Sequence, residues 1–564
     1  MKTVKAPTDP EKNRPYFYII KDKEIFSAKA EDGTGVCFLY QSDGRLKSSA
    51  DFVGNVKDQS QIEMLGTVQG FRKLVHSVGI SMECENQEEL KFVFQMYGKK
   101  DLYGGGANLV ANVKADGSEH RIYLKDVDWQ EDDDVPGQIR IHFPKPEQTA
   151  YLNVRFYLND GFEGPEQIEA KPVDTSSAAY KAMIQKSLMQ VGNAARLQKM
   201  AEKAKRGEDV TIAYIGGSIT QGAGATPINT MCYAYQSFLK LKKLLGDGEN
   251  IHYIKAGVGG TPSELGMLRF DRDVLEYDTN RPDLVIVEFA VNDEGDETEG
   301  VCFESLVRKI LALPYEPAVL LLFSVFASDY NLQDRLKPVG ERYDLPMVSL
   351  KNAVTPQFYD RETRIMTKSQ YFYDVFHPTN LGHQVMADCI VYAVEKALEK
   401  EKEADTLDLS LAPAIGNTFD KVLLLDKKDN TDLATIEEGG FTLTDTVLQS
   451  VERNMDLTVS PQFPYNWMYD GKTCEHKPFR MEIDCKALVL IMKDSGEVDA
   501  ATAKVYVDGK FVRNLDPYIN RWCHCNPLIV VDEKETAHHV VEVVVDEDPV
   551  RTAFTILGFG VVKE

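Results

Sequence analysis

No apolar stretch in this sequence is long enough to cross a bilayer, and residues 1–13 contain no apolar core of a secretory signal. Membrane insertion and export are therefore not expected, and a cytoplasmic location is. A surplus of basic residues is also missing: 64 Lys and Arg stand against 88 Asp and Glu, a formal net charge of -24. Long-range repulsion of that sign argues against nucleic acid and membranes as partners and favours neutral ligands. Cysteine is sparse, with nine in 564 residues, mostly lone and inside apolar segments. They read as reduced core thiols, not as a disulfide framework. There is no G-x-G-x-x-G, and the glycine turn at Gly216-Gly217 is followed by no P-loop lysine, which removes a phosphate cradle. Internal repeats and low-complexity segments are absent too.

What is present is enough apolar material, 43% of the residues, for several cores. Three regions differ in pattern. Residues 1–175 show short apolar runs such as Gly35–Tyr40, Gln138–Phe143 and Tyr151–Leu158 between Gly, Asp and Asn turns, with little helical periodicity. This predicts an antiparallel β-sandwich. Residues 176–404 open with one long amphipathic helix over 176–206, then alternate apolar strands and amphipathic helices. That pattern predicts an α/β/α domain with a parallel sheet. Residues 412–564 return to β patterning and predict a second, jelly-roll-like β-sandwich. The fold class expected is thus α/β with β-sandwich flanks.

Four short stretches stand at element ends in the α/β region: Gly216-Gly217-Ser218-Ile219-Thr220, Ala256-Gly257-Val258-Gly259-Gly260-Thr261, Glu288-Phe289-Ala290-Val291-Asn292-Asp293 and Asp374-Val375-Phe376-His377-Pro378. At the carboxyl edge of a parallel sheet they would share one rim, where ligands bind. A serine hydroxyl attacks an acyl carbon only when a base takes its proton; histidine as a residue type suits that task, and His377 is the candidate. Asp374 is placed to hold the imidazole tautomer. The oxyanion needs preorganised donors, for which the Ser218 N–H, a glycine N–H of the second stretch and the Asn292 amide are candidates. Taken one at a time, Ser218 is equally a helix cap, His377 a core histidine, and Asn292 a turn residue.

Together the four stretches resemble the four blocks of the SGNH (GDSL-type) hydrolases, over about 209–403. The resemblance implies Ser218 as nucleophile, Asp374 and His377 as the D-x-x-H pair, and Ser218, Gly260 and Asn292 as the oxyanion hole. Gly260 is chosen among Gly257, Gly259 and Gly260 by the family's spacing. No metal or organic cofactor is implied. The sequence departs from the family in having Gly217 where an aspartate is usual, and Ala290 where a glycine is usual.

A hydrolase domain between β-rich flanks resembles bacterial carbohydrate O-acetyl esterases. This implies an acetylated oligosaccharide from plant polysaccharide as substrate. A lipid or general carboxylesterase, and a carbohydrate-binding protein with an inactive core, are the alternatives. Trp522 and Trp467 are candidates for a sugar-stacking platform. Cys523-His524-Cys525 with Cys474, His476 and Cys485 matches no common zinc spacing and reads as thiols without metal. Nothing in the sequence requires or opposes self-association.

Overall fold

The computed structural model describes residues 14–30, 32–42, 44–167, 170–360, 364–452 and 459–563; residues 1–13, read above for a signal, lie outside these. The chain forms two compact units. One runs to Val173 and includes Met366–Thr379; the other comprises Asp174–Ile365 and Asn380–Glu564.

In the first unit, two antiparallel sheets face a common core. One has the order Tyr16–Phe26, Thr149–Leu158, Val75–Glu83, Asp116–Tyr123. The other has the order Ala28–Lys29, Gly35–Tyr40, Asp133–Phe143, Glu89–Gly98, Asn108–Lys114. Phe17, Leu152 and Phe156 of the first meet Phe92, Phe94 and Ile139 of the second in one cluster. The sandwich also holds helical turns at Arg45–Ser48, Gln59–Met64 and Val68–Leu74, which the sequence pattern did not reveal. Each is only one or two turns long, too short for a 3.6-residue period to repeat. Caps and burial hold the third: Thr67 accepts from the Gly70 N–H, and Val68, Phe71 and Leu74 are buried.

The second unit is built on a six-stranded sheet. Its order is Leu188–Gln190, Met347–Ser349, Ala318–Phe323, Leu284–Glu288, Val210–Gly216, Ile251–Gly257, parallel except for the first, edge strand. Leu284–Glu288 and Ala318–Phe323 are buried along their whole length, as strands covered on both faces must be. The long helix expected over 176–206 is not continuous. Ala178–Gln185 and Ala195–Lys205 are helical, and Leu188–Gln190 between them pairs with Met347–Ser349. Gly192, at φ 68, provides the left-handed turn that a continuing helix could not. The apolar spacing across 180–195 satisfied a helix pattern that edge-strand pairing overrode.

The C-terminal region of this unit is an eight-stranded antiparallel sheet with a short hairpin beside it. Its longest strands, Phe479–Asp494 and His524–Val545, pair along most of their length and break register at Cys485/Ala487 and again at Leu488/Val489. From Ala487 to Met492 the side chains alternate between two cores. Leu488, Leu490 and Met492 join a core of the sheet's own, with Trp467, Phe479 and Phe559. Ala487, Val489 and Ile491 instead join the core that holds Leu265, Leu268 and Phe289 of the α/β domain. Among the described residues, no helix is long and apolar enough to cross a membrane.

Candidate active site

Strand Val210–Gly216 lies between two parallel neighbours, with Gly216 opposite Gly257 on one side and Glu288 on the other. The stretches that follow these three strands therefore emerge side by side. They carry Ser218, the 258–260 turn and Asn292. Ser218 is half-buried and begins the short helix Ser218–Gln221, which Thr220 anchors by bonds to the Tyr233 hydroxyl (2.8 Å) and Glu288 Oε2 (3.1 Å). From below, fully buried Arg269 donates from Nη2 to the Gly216 carbonyl at 2.9 Å.

Gly217 has a direct steric explanation. A Cβ built there would lie 2.3 Å from Asn292 Oδ1 and 2.7 Å from Asn292 Cγ. The Asn292 amide thus packs on the face of residue 217, and any side chain would displace it. Its Oδ1 is buried without a hydrogen-bond partner among the described residues.

The glycine turn is shaped from the C-terminal sheet. Gly260 has φ 70, a conformation that glycine adopts without strain. A Cβ there would meet Trp522 at 3.0 Å and His524 Nε2 at 3.1 Å. Gln449 Nε2 donates to the Gly259 carbonyl at 2.7 Å, and His524 Nε2 donates to the Gly260 carbonyl at 3.0 Å. No hydrogen bond is made by the Gly260 N–H among the described residues. Burial pushes the His524 imidazole below its ordinary range, opposed by its bonds to Gly260 and Asn526.

The two tryptophans separate. Trp522 is 36% exposed, stands edge-on to His524 with ring centroids 4.7 Å apart, and borders Gly260. Trp467, expected on the same platform, is 2% exposed and packs on Phe479 and Phe559, with Nε1 donating to Glu438. It offers no face to a ligand. It lies on an inward position of strand Trp467–Asp470, which residue type alone does not reveal.

Asp374 and His377 belong to the first compact unit. Their loop is closed by a bridge between Phe372 and Pro378, and by the Tyr373 N–H bonded to the His377 carbonyl at 2.8 Å. Asp374 Oδ1 accepts from the Phe376 and His377 N–H groups, both at 2.8 Å, and Oδ2 faces His377 Nδ1 at 3.0 Å. The three-residue spacing thus lets one carboxylate hold both its own turn and the imidazole. A carboxylate only accepts, so Nδ1 carries the proton in this bond. Burial alone would raise the Asp374 pKa. His377 and the Arg45 guanidinium, 3.6 Å away, overcome this and hold it well below the usual range.

Buried carboxyls crowd the region after Asn292. Burial raises Glu288 to about 7, Asp293 to about 8 and Glu264 to about 9, the last two helped by neighbouring acids. Glu264, Asp296 and Cys302 form the one metal-competent trio among the described residues, with donor atoms within 4.8 Å. Asp296 also accepts from the Thr298 and Gly300 N–H groups, at the turn that begins helix Val301–Leu311. The Cys and His residues of the C-terminal sheet form no such group among the described residues. Arg45, Arg269, Gln449 and His524 were not singled out by sequence as site residues. The only sequence signal among them was His524, within Cys-His-Cys, a stretch read as thiols without metal.

Residues 214–385 match the family model described as GDSL-like Lipase/Acylhydrolase. The chain carries a GDSL-like acylhydrolase domain. It is a carboxylic ester hydrolase. Among solved structures, this hydrolase resembles a two-domain esterase active on acetylated mannans, at 27% identity and a TM-score of 0.58, over 67% of this chain and 97% of that one. A structure of a two-domain esterase active on acetylated mannans, co-crystallized with mannopentaose, matches at 27% identity and a TM-score of 0.57. That match spans 68% of this chain and 98% of the other. No curated protein matches the chain.

Proposed function

We propose that this hydrolase removes acetyl groups from manno-oligosaccharides through an acyl-serine intermediate. The carrying observation is the rim of the parallel sheet, where Ser218, a Gly260 N–H unbonded among the described residues, and the Asn292 amide follow three adjacent strands. Ser218 Oγ attacks the ester carbonyl while His377 Nε2 takes its proton. The oxyanion forms toward the Ser218 and Gly260 N–H groups and the Asn292 amide. Each such donor is worth about 3–4 kcal/mol of transition-state stabilisation. As the tetrahedral intermediate collapses, the C–O bond to the sugar breaks and His377 gives its proton to the departing sugar oxygen; water, activated by the same imidazole, then cleaves the acyl-serine ester and releases acetate. Asp374 holds the imidazole and stabilises its cation throughout.

For the sugar, the exposed Trp522 beside Gly260 provides an aromatic face of the kind that pyranose rings stack on. The neighbours active on acetylated mannans support mannan as the polymer class. The net charge of -24 agrees with a neutral glycan and opposes anionic lipid surfaces. The test is acetate release from acetylated mannan, xylan and xyloglucan oligosaccharides. Mannan should be preferred, and Ser218→Ala should lose at least about 10³-fold in kcat. Preference for long-chain acyl esters, or turnover retained in Ser218→Ala, would overturn the reading.

A further inference from the structure

In a trans peptide the carbonyl of residue 259 and the N–H of residue 260 lie in one plane and point in opposite directions. Whatever holds the Gly259 carbonyl therefore sets the direction of the Gly260 N–H. That carbonyl is held by the Gln449 side-chain amide at 2.7 Å, and the next one, of Gly260, by His524 Nε2 at 3.0 Å. Two consecutive peptide planes of a turn that glycine makes pliable are thus clamped from the C-terminal sheet.

Both clamps are themselves fixed. Gln449 Oε1 accepts from the Cys525 N–H at 3.1 Å, so its amide cannot flip without losing both bonds, and its own carbonyl accepts from Gln462 N–H at 2.7 Å. His524 is 4% exposed, and Asn520 Nδ2 lies 3.2 Å from both His524 Nδ1 and Asn526 Oδ1, placed to donate to them. Asn526 and the Asn520 N–H are in turn bonded to buried Asp494, at 2.9 and 2.6 Å. Since the Gly260 carbonyl can only accept, His524 presents its proton on Nε2.

The geometry points to Gln449, seconded by His524, as positioning residues of the oxyanion hole: the C-terminal sheet aims the Gly260 N–H through the planar 259–260 peptide. This rests on the reading of Gly260 as an oxyanion donor. A bond donated to the Gly259 carbonyl also polarises that peptide and makes its N–H a better donor. Neither side chain needs to touch the substrate. The effect should fall on the transition state and leave ground-state binding unchanged.

The experiment uses the full chain and a chromogenic acetyl ester. Gln449→Ala should lower kcat about 10- to 100-fold with KM changed by less than about threefold, below the 10²–10³ of a lost oxyanion donor. Gln449→Glu, which opposes an acceptor to the carbonyl, should lose at least as much. His524→Ala should lose about tenfold, and His524→Gln, which restores an N–H donor, should recover most of it. The stoichiometry of labelling by a fluorophosphonate, carried to completion, and the melting temperature show whether the variants stay folded. A kcat within twofold of wild type in Gln449→Ala would overturn the inference. So would a loss that tracks the labelled fraction, or one confined to KM. Ser218→Ala separates the two readings: turnover lost there but kept in Gln449→Ala refutes only the positioning role, whereas turnover kept in Ser218→Ala refutes the acyl-serine reading itself.

Discussion

The two β-rich flanks look alike in sequence and are used differently in the fold. The N-terminal sandwich closes its apolar faces on each other, with Phe92, Phe94 and Phe156 in a core drawn from that unit alone. The C-terminal sheet keeps one face for itself and gives the other to the hydrolase domain, within a single compact unit. The join is close: a Cβ on Gly560 would stand 2.3 Å from Leu268 of helix Ser263–Asp273. The N-terminal unit contains a segment of the hydrolase sequence, Met366–Thr379, with Asp374 and His377. The C-terminal sheet brings side chains to the glycine turn instead. A flank can serve a catalytic domain by taking in part of its chain or by sharing its core.

Four experiments sharpen or break this contrast. Asp374→Asn carries the largest expected effect. It should lower kcat about 10³- to 10⁴-fold through loss of the imidazole's tautomer and charge partner. Turnover kept in this variant would remove the N-terminal unit from the chemistry and reduce the contrast to packing. Next is Gly217→Asp, which installs the residue usual in the resembled family. Its Cβ falls on the Asn292 amide, so kcat should drop about 10²-fold, the cost of displacing one oxyanion donor. Activity at wild-type level would show that Asn292 is dispensable.

Calorimetry reads the packing contrast itself. Phe92→Ala should cost about 3–5 kcal/mol and lower one transition, that of the N-terminal unit, by roughly 10 °C. Gly560→Val overpacks the join at about 1–3 kcal/mol and should shift only the other transition, by a few degrees, with activity following it. If both variants move the same transition, the flanks are not different.

The smallest effect is on pH. Glu288, Asp293 and Glu264 have folded pKa values raised by burial to about 7, 8 and 9. The folded state binds their protons more tightly than the unfolded chain. Their contribution is therefore fully present below the ordinary carboxylate range, and is lost as pH rises through the folded values. The transition of the hydrolase and C-terminal sheet should weaken between about pH 5 and 9, and Glu264→Gln should flatten the upper part of that slope. Asp374 has the opposite sign: its stabilisation of the N-terminal unit is present at neutral pH and lost only in acid. Identical pH responses in both transitions would contradict this.

Much of the fold was legible because the relevant signals are local. Val210–Gly216, Leu284–Glu288 and Ala318–Phe323 are apolar runs of strand length, and Gly or polar turns end them. Tyr233–Leu244, Ser263–Asp273 and Val301–Leu311 show the expected helical spacing. The misreadings share a cause. Residues 178–205 carry one helical pattern but form two helices, because Leu188–Gln190 finds a partner strand some 160 residues away. Trp467 and Trp522 are the same residue type, yet one is core and one is exposed beside Gly260. Gln449 had no sequence signal at all, since a glutamine that bonds a distant carbonyl looks like any surface glutamine.

The sequence by itself determined the local chemistry: a serine after an apolar strand, glycines where side chains would collide, and a carboxylate three residues before a histidine. Tertiary structure decided what those local pieces would be pressed against. In Phe479–Asp494 the run Ala487 to Met492 is apolar at every position, so burial on both faces follows from the residues alone. Which face meets the hydrolase core and which meets the sheet's own does not, because alternation specifies sides and never partners. The same holds at Gly217. Its lack of a side chain is written in the sequence, but the Asn292 amide that requires it arrives from another strand.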